Sequence, residues 1–236
     1  AIDVKEELKK FPIITKSDLL ESPHKYYPKR SALSLNLIKG KTSGTTGTPL
    51  SIDRSFSSIL WENAFVKQHW ESILGAKYKR VTLRGDEVPN DALWVENVFD
   101  NQLVLSSKHL NASNYELIIA KLASYAPDML QAYPSTAFFL ANLLEEKGEV
   151  LNIPFVFTSS EMLYPYQREL IEKNIGRVID MYGMAERVAM ANECIEGSLH
   201  INPYYSYVEI LDDDNQPTDE EGYIVGTTLN NNLMPL

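Results

Sequence analysis

Apolar and polar residues change their period several times along the 236-residue chain. Phe56, Ile59, Leu60, Val66, Trp70, Ile73 and Leu74 recur near helical spacing and predict one helix over Ser55 to Leu74. Ahead of it, Ser34 to Lys39 and Leu50 to Asp53 are short β-prone pieces flanking a loop of glycine and hydroxyl residues. Beyond it the pattern alternates. Strands are predicted at Arg80 to Arg84, Leu103 to Ser106, Met129 to Tyr133, Phe155 to Ser159 and Arg177 to Tyr182. Helices are predicted at Ser113 to Tyr125, Ser135 to Lys147 and Pro165 to Asn174. Ser113 and Glu116 have the spacing of a capping box, and Pro127, Gly148 and Gly176 punctuate the helix ends. Strand and helix in alternation, joined by short links, predict a parallel sheet covered by helices.

After about Ala191 the texture changes. Ser198 to Ile201, Tyr205 to Leu211 and Tyr223 to Leu229 read as β segments, and Asp212 to Asn215 followed by Pro217 has the residues of a hairpin turn. The expected class is α/β: a doubly wound, mostly parallel sheet with flanking helices plus a small antiparallel β module at the C-terminal end. A boundary is expected near residue 192, dividing 1–191 from 192–236.

Composition narrows the function. With 44% hydrophobic and 23% charged residues the chain can bury an ordinary globular core. A formal net charge of −10, without a basic run, repels phosphodiester backbones and argues against nucleic-acid binding. The single cysteine, Cys194, excludes an internal disulfide framework and fits a reducing, cytoplasmic setting. No apolar stretch approaches the ~20 residues of a membrane span.

The most informative segment is Lys41-Thr42-Ser43-Gly44-Thr45-Thr46-Gly47-Thr48-Pro49. Glycines that permit positive φ let several backbone N–H groups turn toward one anion, and the hydroxyls add donors. The same composition also fits a plain surface turn. The glycine spacing is neither that of the Walker A loop nor that of a dinucleotide fingerprint. The string resembles the phosphate-binding signature of adenylate-forming enzymes, the superfamily of acyl-CoA ligases, luciferases and peptide-synthetase adenylation domains. Leu50 stands where many members have a lysine, as in the phenylacetate–CoA ligase-like branch and its capsular-polysaccharide-associated members.

Two further strings follow in the order that the resemblance requires. Asp180-Met181-Tyr182-Gly183-Met184-Ala185-Glu186 closes a predicted strand and resembles the family's Tyr-Gly-x-x-Glu motif. Thr158-Ser159-Ser160-Glu161 resembles its strand-end turn, with serines in place of small residues. Phe11 to Lys16 and Gln131 to Ser135 are similar to phrases of the capsular-type branch.

The resemblance implies activation of a small-molecule carboxylate by ATP and Mg²⁺, with coenzyme A as the acyl acceptor. It implies that Thr42, Ser43, Gly44, Thr45, Thr46 and Gly47 hold phosphates, with Thr45 catalytic, and that Ser160, Glu161, Met181, Tyr182, Gly183 and Met184 contact the nucleotide. Glu186 would be catalytic and hold Mg²⁺. Tyr133, Phe138 and Tyr182 are candidates for the acyl pocket, although buried aromatics are also ordinary core residues. Cys194 and His200 lie where this branch can carry a structural Zn²⁺ site, and further ligands would have to come from beyond Leu236. His109 either faces the cleft or is a hydrogen-bonded loop residue. By the same resemblance, 1–191 is the nucleotide-binding part of an adenylation domain and 192–236 starts a β-barrel-like subdomain. Residues before Ala1 and a mobile C-terminal domain after Leu236 would complete the protein.

Overall fold

The computed structural model describes residues 4–26, 37–42, 47–84, 88–89, 92–231, 233–234 and 236. In chain order the helices are α1 (Val4–Leu8), α2 (Lys16–Glu21), α3 (Phe56–Leu74), α4 (Tyr115–Tyr125), α5 (Pro134–Lys147) and α6 (Pro165–Asn174). The strands are β1 (Leu37–Lys41), β2 (Ser51–Ser55), β3 (Arg80–Leu83), β4 (Trp94–Asn97), β5 (Gln102–Leu105) and β6 (Met129–Ala132). They continue as β7 (Phe155–Ser159), β8 (Arg177–Gly183), β9 (Met190–Glu193), β10 (Leu199–Ile201), β11 (Ser206–Leu211) and β12 (Tyr223–Thr228).

The class is α/β, as expected. An eight-stranded sheet has the order β10-β9-β8-β7-β6-β3-β5-β4. Neighbours from β8 through β7, β6 and β3 to β5 pair in parallel, while β4 pairs antiparallel with β5 at the edge. Strands β3, β5, β6 and β7 are buried along nearly their whole length, which a parallel strand covered on both faces requires. Helix α5 buries Ala137, Leu140, Ala141 and Leu144, spaced i, i+3, i+4, i+7. It starts with Pro134 in its first turn and ends at Gly148 with φ +69, the left-handed cap that glycine adopts without strain. Fully burying each such leucine is worth about 1.5–3 kcal/mol over leaving it exposed.

Gly176, between α6 and β8, makes a close approach. A Cβ there would lie 1.7 Å from the Ile153 carbonyl oxygen, so only glycine lets the two backbones meet.

The capping box expected from Ser113 and Glu116 does not form. Helix α4 starts at Tyr115, and its N-cap Asn114 makes no side-chain cap bond. The Asn111 side chain instead accepts the Ser113 and Asn114 amides, at 3.0 and 3.1 Å, and makes a local turn. The edge strand β4 and the strand β9 add to the elements expected.

Two compact units emerge. One comprises Ala1–Val66, Met184–Met190 and Ile201–Leu236; the other comprises Lys67–Gly183 and Ala191–His200. Residue 192 therefore lies inside the sheet unit, because β9 and β10 extend the large sheet. In the first unit β1 and β2 form an antiparallel hairpin, β11 and β12 a second one, and Leu19, Leu50, Ile52 and Met234 share a small core.

Candidate active site

In the sheet unit, β3, β6, β7 and β8 end at Leu83, Ala132, Ser159 and Gly183, and their parallel order aligns those ends. Ligands of open α/β sheets bind beyond such ends. Arg84, the residue after β3, donates from Nη2 to Ser159 Oγ at 2.9 Å. Its guanidinium lies 5.1 Å from the centroid of the Tyr133 ring, a cation–π contact. The buried Nε of Arg84 has no hydrogen-bond partner among the described residues. Ser160 is exposed and sits at φ +71, which costs a non-glycine residue about 1–2 kcal/mol. Strain of this kind concentrates at functional turns. Glu161, also exposed, accepts the Ser135 amide at 3.1 Å, so its carboxylate sits at the positive N-terminus of α5.

A polar ladder fixes β8 ahead of the tyrosine. Thr158 Oγ1 donates to Asp180 Oδ1 at 2.5 Å, and the Asp180 amide donates to Glu193 Oε2 at 2.6 Å. Glu193 is buried and also receives Arg168 Nη2 at 2.8 Å. Burial above all pushes the Asp180 carboxyl above the ordinary carboxylate range. Beyond the ladder, Met181 is half-buried, while Tyr182 and Gly183 are exposed at the strand end. Phe138 packs on the core and edge-on to Tyr166, with ring centroids 5.4 Å apart.

Two further candidates resolve within this unit. His109 Nδ1 lies 2.8 Å from Ser106 Oγ, the hydrogen-bonded loop arrangement. Cys194 and His200 are neighbours: the Ser198 backbone amide, followed by the His200 imidazole, holds the thiol below its ordinary pKa. Tetrahedral zinc needs four ligands, and no group of three metal-ligating residues exists among the described residues.

In the other unit, β1 leads into the glycine–threonine loop and β2 leads out of it. Ser43, Gly44, Thr45 and Thr46 lie outside the described residues. Thr42 closes the loop's base: its amide donates to the Leu50 carbonyl at 3.0 Å, and its Oγ1 accepts the Leu50 amide at 2.9 Å. Gly47 adopts φ +142 and is exposed. Met184, Ala185, Glu186 and Arg187 form a turn in the same unit, closed by the Arg187 amide on the Met184 carbonyl at 3.0 Å. Glu186 is half-buried and accepts no hydrogen bond among the described residues, which suits a hard-oxygen ligand for Mg²⁺.

The sequence reading missed Arg84, although its place directly after a predicted strand was a usable signal. It also missed Arg187 within the Glu186 turn, and Arg54 and Glu62, which bind that turn from elsewhere in the chain. No local pattern announces them.

Comparison with known proteins follows this geometry. No protein-family model matches the chain. Protein CapK of Staphylococcus aureus is 28% identical over 208 residues, covering 83% of this chain and 45% of CapK. Among solved structures, an open conformation of 2-hydroxyisobutyryl-CoA ligase in complex with 2-HIB-AMP and CoA superposes with a TM-score of 0.66 and 18% identity. The match covers 95% of this chain and 56% of the ligase. The anthranilate CoA ligase AuaEII, in complex with anthranoyl-AMP, gives a TM-score of 0.54 at 15% identity over 82% of this chain and 39% of its own. The chain thus shares the fold of these CoA ligases. The chain spans about half the length of the relatives it matches.

Proposed function

We propose that this chain is the nucleotide-binding part of a phenylacetate–CoA ligase-like enzyme that converts a carboxylic acid to an acyl-adenylate with ATP and then to a coenzyme A thioester. The observation that carries this reading is the Glu186 turn, whose carboxylate accepts no hydrogen bond among the described residues, in the unit that also holds the hydroxyl-rich segment between β1 and β2. The 2-HIB-AMP and CoA bound to one structural relative, and the anthranoyl-AMP bound to another, support it.

In the first step a carboxylate oxygen attacks the α-phosphorus of ATP, the bond to the bridging oxygen breaks, and pyrophosphate leaves. A carboxylate alone acylates poorly because oxide is a poor leaving group, whereas AMP leaves readily. In the second step a thiol sulfur attacks the acyl carbon, AMP departs, and the thiol proton goes to solvent. Catalysis here is positioning and charge stabilisation. The loop over Thr42 to Gly47, with Thr45 at its centre, would hold the β- and γ-phosphates through backbone amides and hydroxyls. Mg²⁺ would neutralise charge near the α-phosphate, and Glu186 would be its protein ligand.

In the sheet unit, the backbone of Ser160 and Glu161 and the strand end at Met181, Tyr182 and Gly183, with Met184 after them, would contact the adenylate. Tyr133, Phe138 and Tyr182 would line the acyl group. A zinc ion at Cys194 and His200 would need two ligands that the described residues do not offer. The reading places the enzyme in the cytoplasm, where ATP and coenzyme A are available. No helix among the described residues is long and apolar enough to cross a membrane. The segment from β11 onward would begin a β-barrel-like subdomain, and the full-length protein would add a mobile domain. The resemblance to capsule-associated enzymes makes a capsule-related acid the first to assay.

Calorimetric titration of the full-length protein with ATP and Mg²⁺, alongside Glu186→Ala, tests the reading. Saturable binding that weakens about tenfold or more in the variant is the expected result. Equal binding by both proteins would favour a nucleotide- or acyl-binding relative without this catalytic role. Absence of ATP binding would favour an acyltransferase that takes a preformed thioester.

A further inference from the structure

Arg54 on β2 pairs with Ile38 on β1, and its side chain reaches diagonally to Gly40 on that strand. A Cβ built on Gly40 would come within 2.4 Å of Arg54 Cζ and 2.7 Å of its Nε and Nη2. The guanidinium therefore occupies the space that only a glycine leaves open. From there Nη2 donates to the Ala185 carbonyl at 2.7 Å, a contact between residues 131 positions apart. The buried Nε has no hydrogen-bond partner among the described residues.

The other flank of Glu186 is held as well. Arg187 adopts φ +63, and its Nε pairs with Glu62 Oε2 at 2.7 Å while Nη1 reaches Ser58 Oγ at 3.3 Å. Glu62 also accepts the Tyr205 hydroxyl at 3.0 Å. Burial, followed by the nearby Arg187 charge, holds the pKa of Arg54 below its ordinary value, against the opposing attraction of Glu62, Tyr205 and Glu186. Glu186 thus stands between a carbonyl held by Arg54 and a side chain held by Glu62, and its carboxylate lies near enough to Arg54 to attract the guanidinium electrostatically.

We propose that Arg54, seated on Gly40, is a positioning residue for Glu186: it fixes the Ala185 carbonyl and so aims the Glu186 carboxylate at the metal-bearing phosphates. The inference rests on the proposed role of Glu186. Partners that orient a ligating carboxylate typically contribute about tenfold or more to metal affinity.

Gly40→Ala is the sharpest variant. It keeps the Arg54 charge, introduces no forbidden backbone angle, and pushes the guanidinium off its seat. Arg54→Gln removes the same contact directly. In the full-length protein, hydrogen exchange of the Ala185 to Arg187 amides should accelerate about tenfold in both, with the melting temperature of Gly40→Ala unchanged or slightly raised. The Mg²⁺ concentration for half-maximal ATP binding should rise about tenfold in both, and in Glu186→Gln.

Unchanged exchange in Gly40→Ala and Arg54→Gln would overturn the clamp whatever the protein binds. If exchange accelerates and Glu186→Gln alone raises the Mg²⁺ requirement, the positioning role is wrong while the proposed function stands. If Glu186→Gln leaves the Mg²⁺ requirement untouched, the reading of Glu186 fails and takes this inference with it.

Discussion

The two units hold their candidate residues by different means. In the sheet unit, Arg84, Ser159, Ser160 and Tyr182 stand at strand ends, and the parallel ladder places them with few side-chain bonds. In the other unit the Glu186 turn does not stand at the end of a parallel ladder. Arg54, Ser58, Glu62 and Arg187 hold it through hydrogen bonds and an ion pair drawn from distant parts of the chain. The first arrangement draws its precision from backbone regularity and tolerates side-chain change. The second draws it from polar contacts, each of which a single substitution removes.

That contrast orders the expected effects. The largest belongs to Gly176→Ala, which forces a methyl against the Ile153 carbonyl where no flexible side chain can yield. A loss of about 3 kcal/mol is expected, measured by urea unfolding, together with faster hydrogen exchange in β7 and β8. Next comes Glu62→Gln, which leaves the nearly buried Arg187 side chain, 11% exposed, without its ion partner. A cost of about 1–3 kcal/mol is expected, with exchange faster at the Glu186 turn than in the sheet. Equal acceleration throughout the chain would erase the distinction between the two units.

A smaller effect of opposite sign is expected from Ser160→Gly. Glycine accepts φ +71 freely, so the variant should gain about 0.5–1 kcal/mol of stability in thermal or urea unfolding. A loss instead would mean that the Ser160 hydroxyl does more for the fold than its strain costs. The smallest effect is a pH dependence. Burial depresses the pKa of His69, whose Nε2 has no hydrogen-bond partner among the described residues. The unfolded chain then binds a proton that the folded chain refuses, so stability falls as pH drops below the unfolded value of about 6.5. His69→Phe should flatten that decline between about pH 6.5 and 5; an unchanged slope would assign the decline to other groups.

Legibility in the sequence follows the same division. Phe155 to Ser159 and Pro165 to Asn174 were read with their observed limits, because short apolar runs, helical spacing and Pro–Gly punctuation all agree there. β4 escaped notice because an edge strand of mixed burial carries neither a continuous apolar run nor a clean alternation. The Ser113–Glu116 pair misled because Asn111 competes for the same amides and turns the chain first. The Tyr182 to Glu186 string was legible as chemistry. Its supports were not, since Arg54, seated on Gly40, and Glu62 meet the turn only through tertiary structure.

The central claim is tested most directly by pyrophosphate release from the full-length protein with ATP, Mg²⁺ and a broad panel of carboxylic acids. The account predicts release that depends on one class of acid, with Glu186→Ala slower by about 10²–10³-fold. Folded protein that binds ATP yet releases no pyrophosphate with any acid, or a Glu186→Ala variant as fast as the wild type, would contradict it.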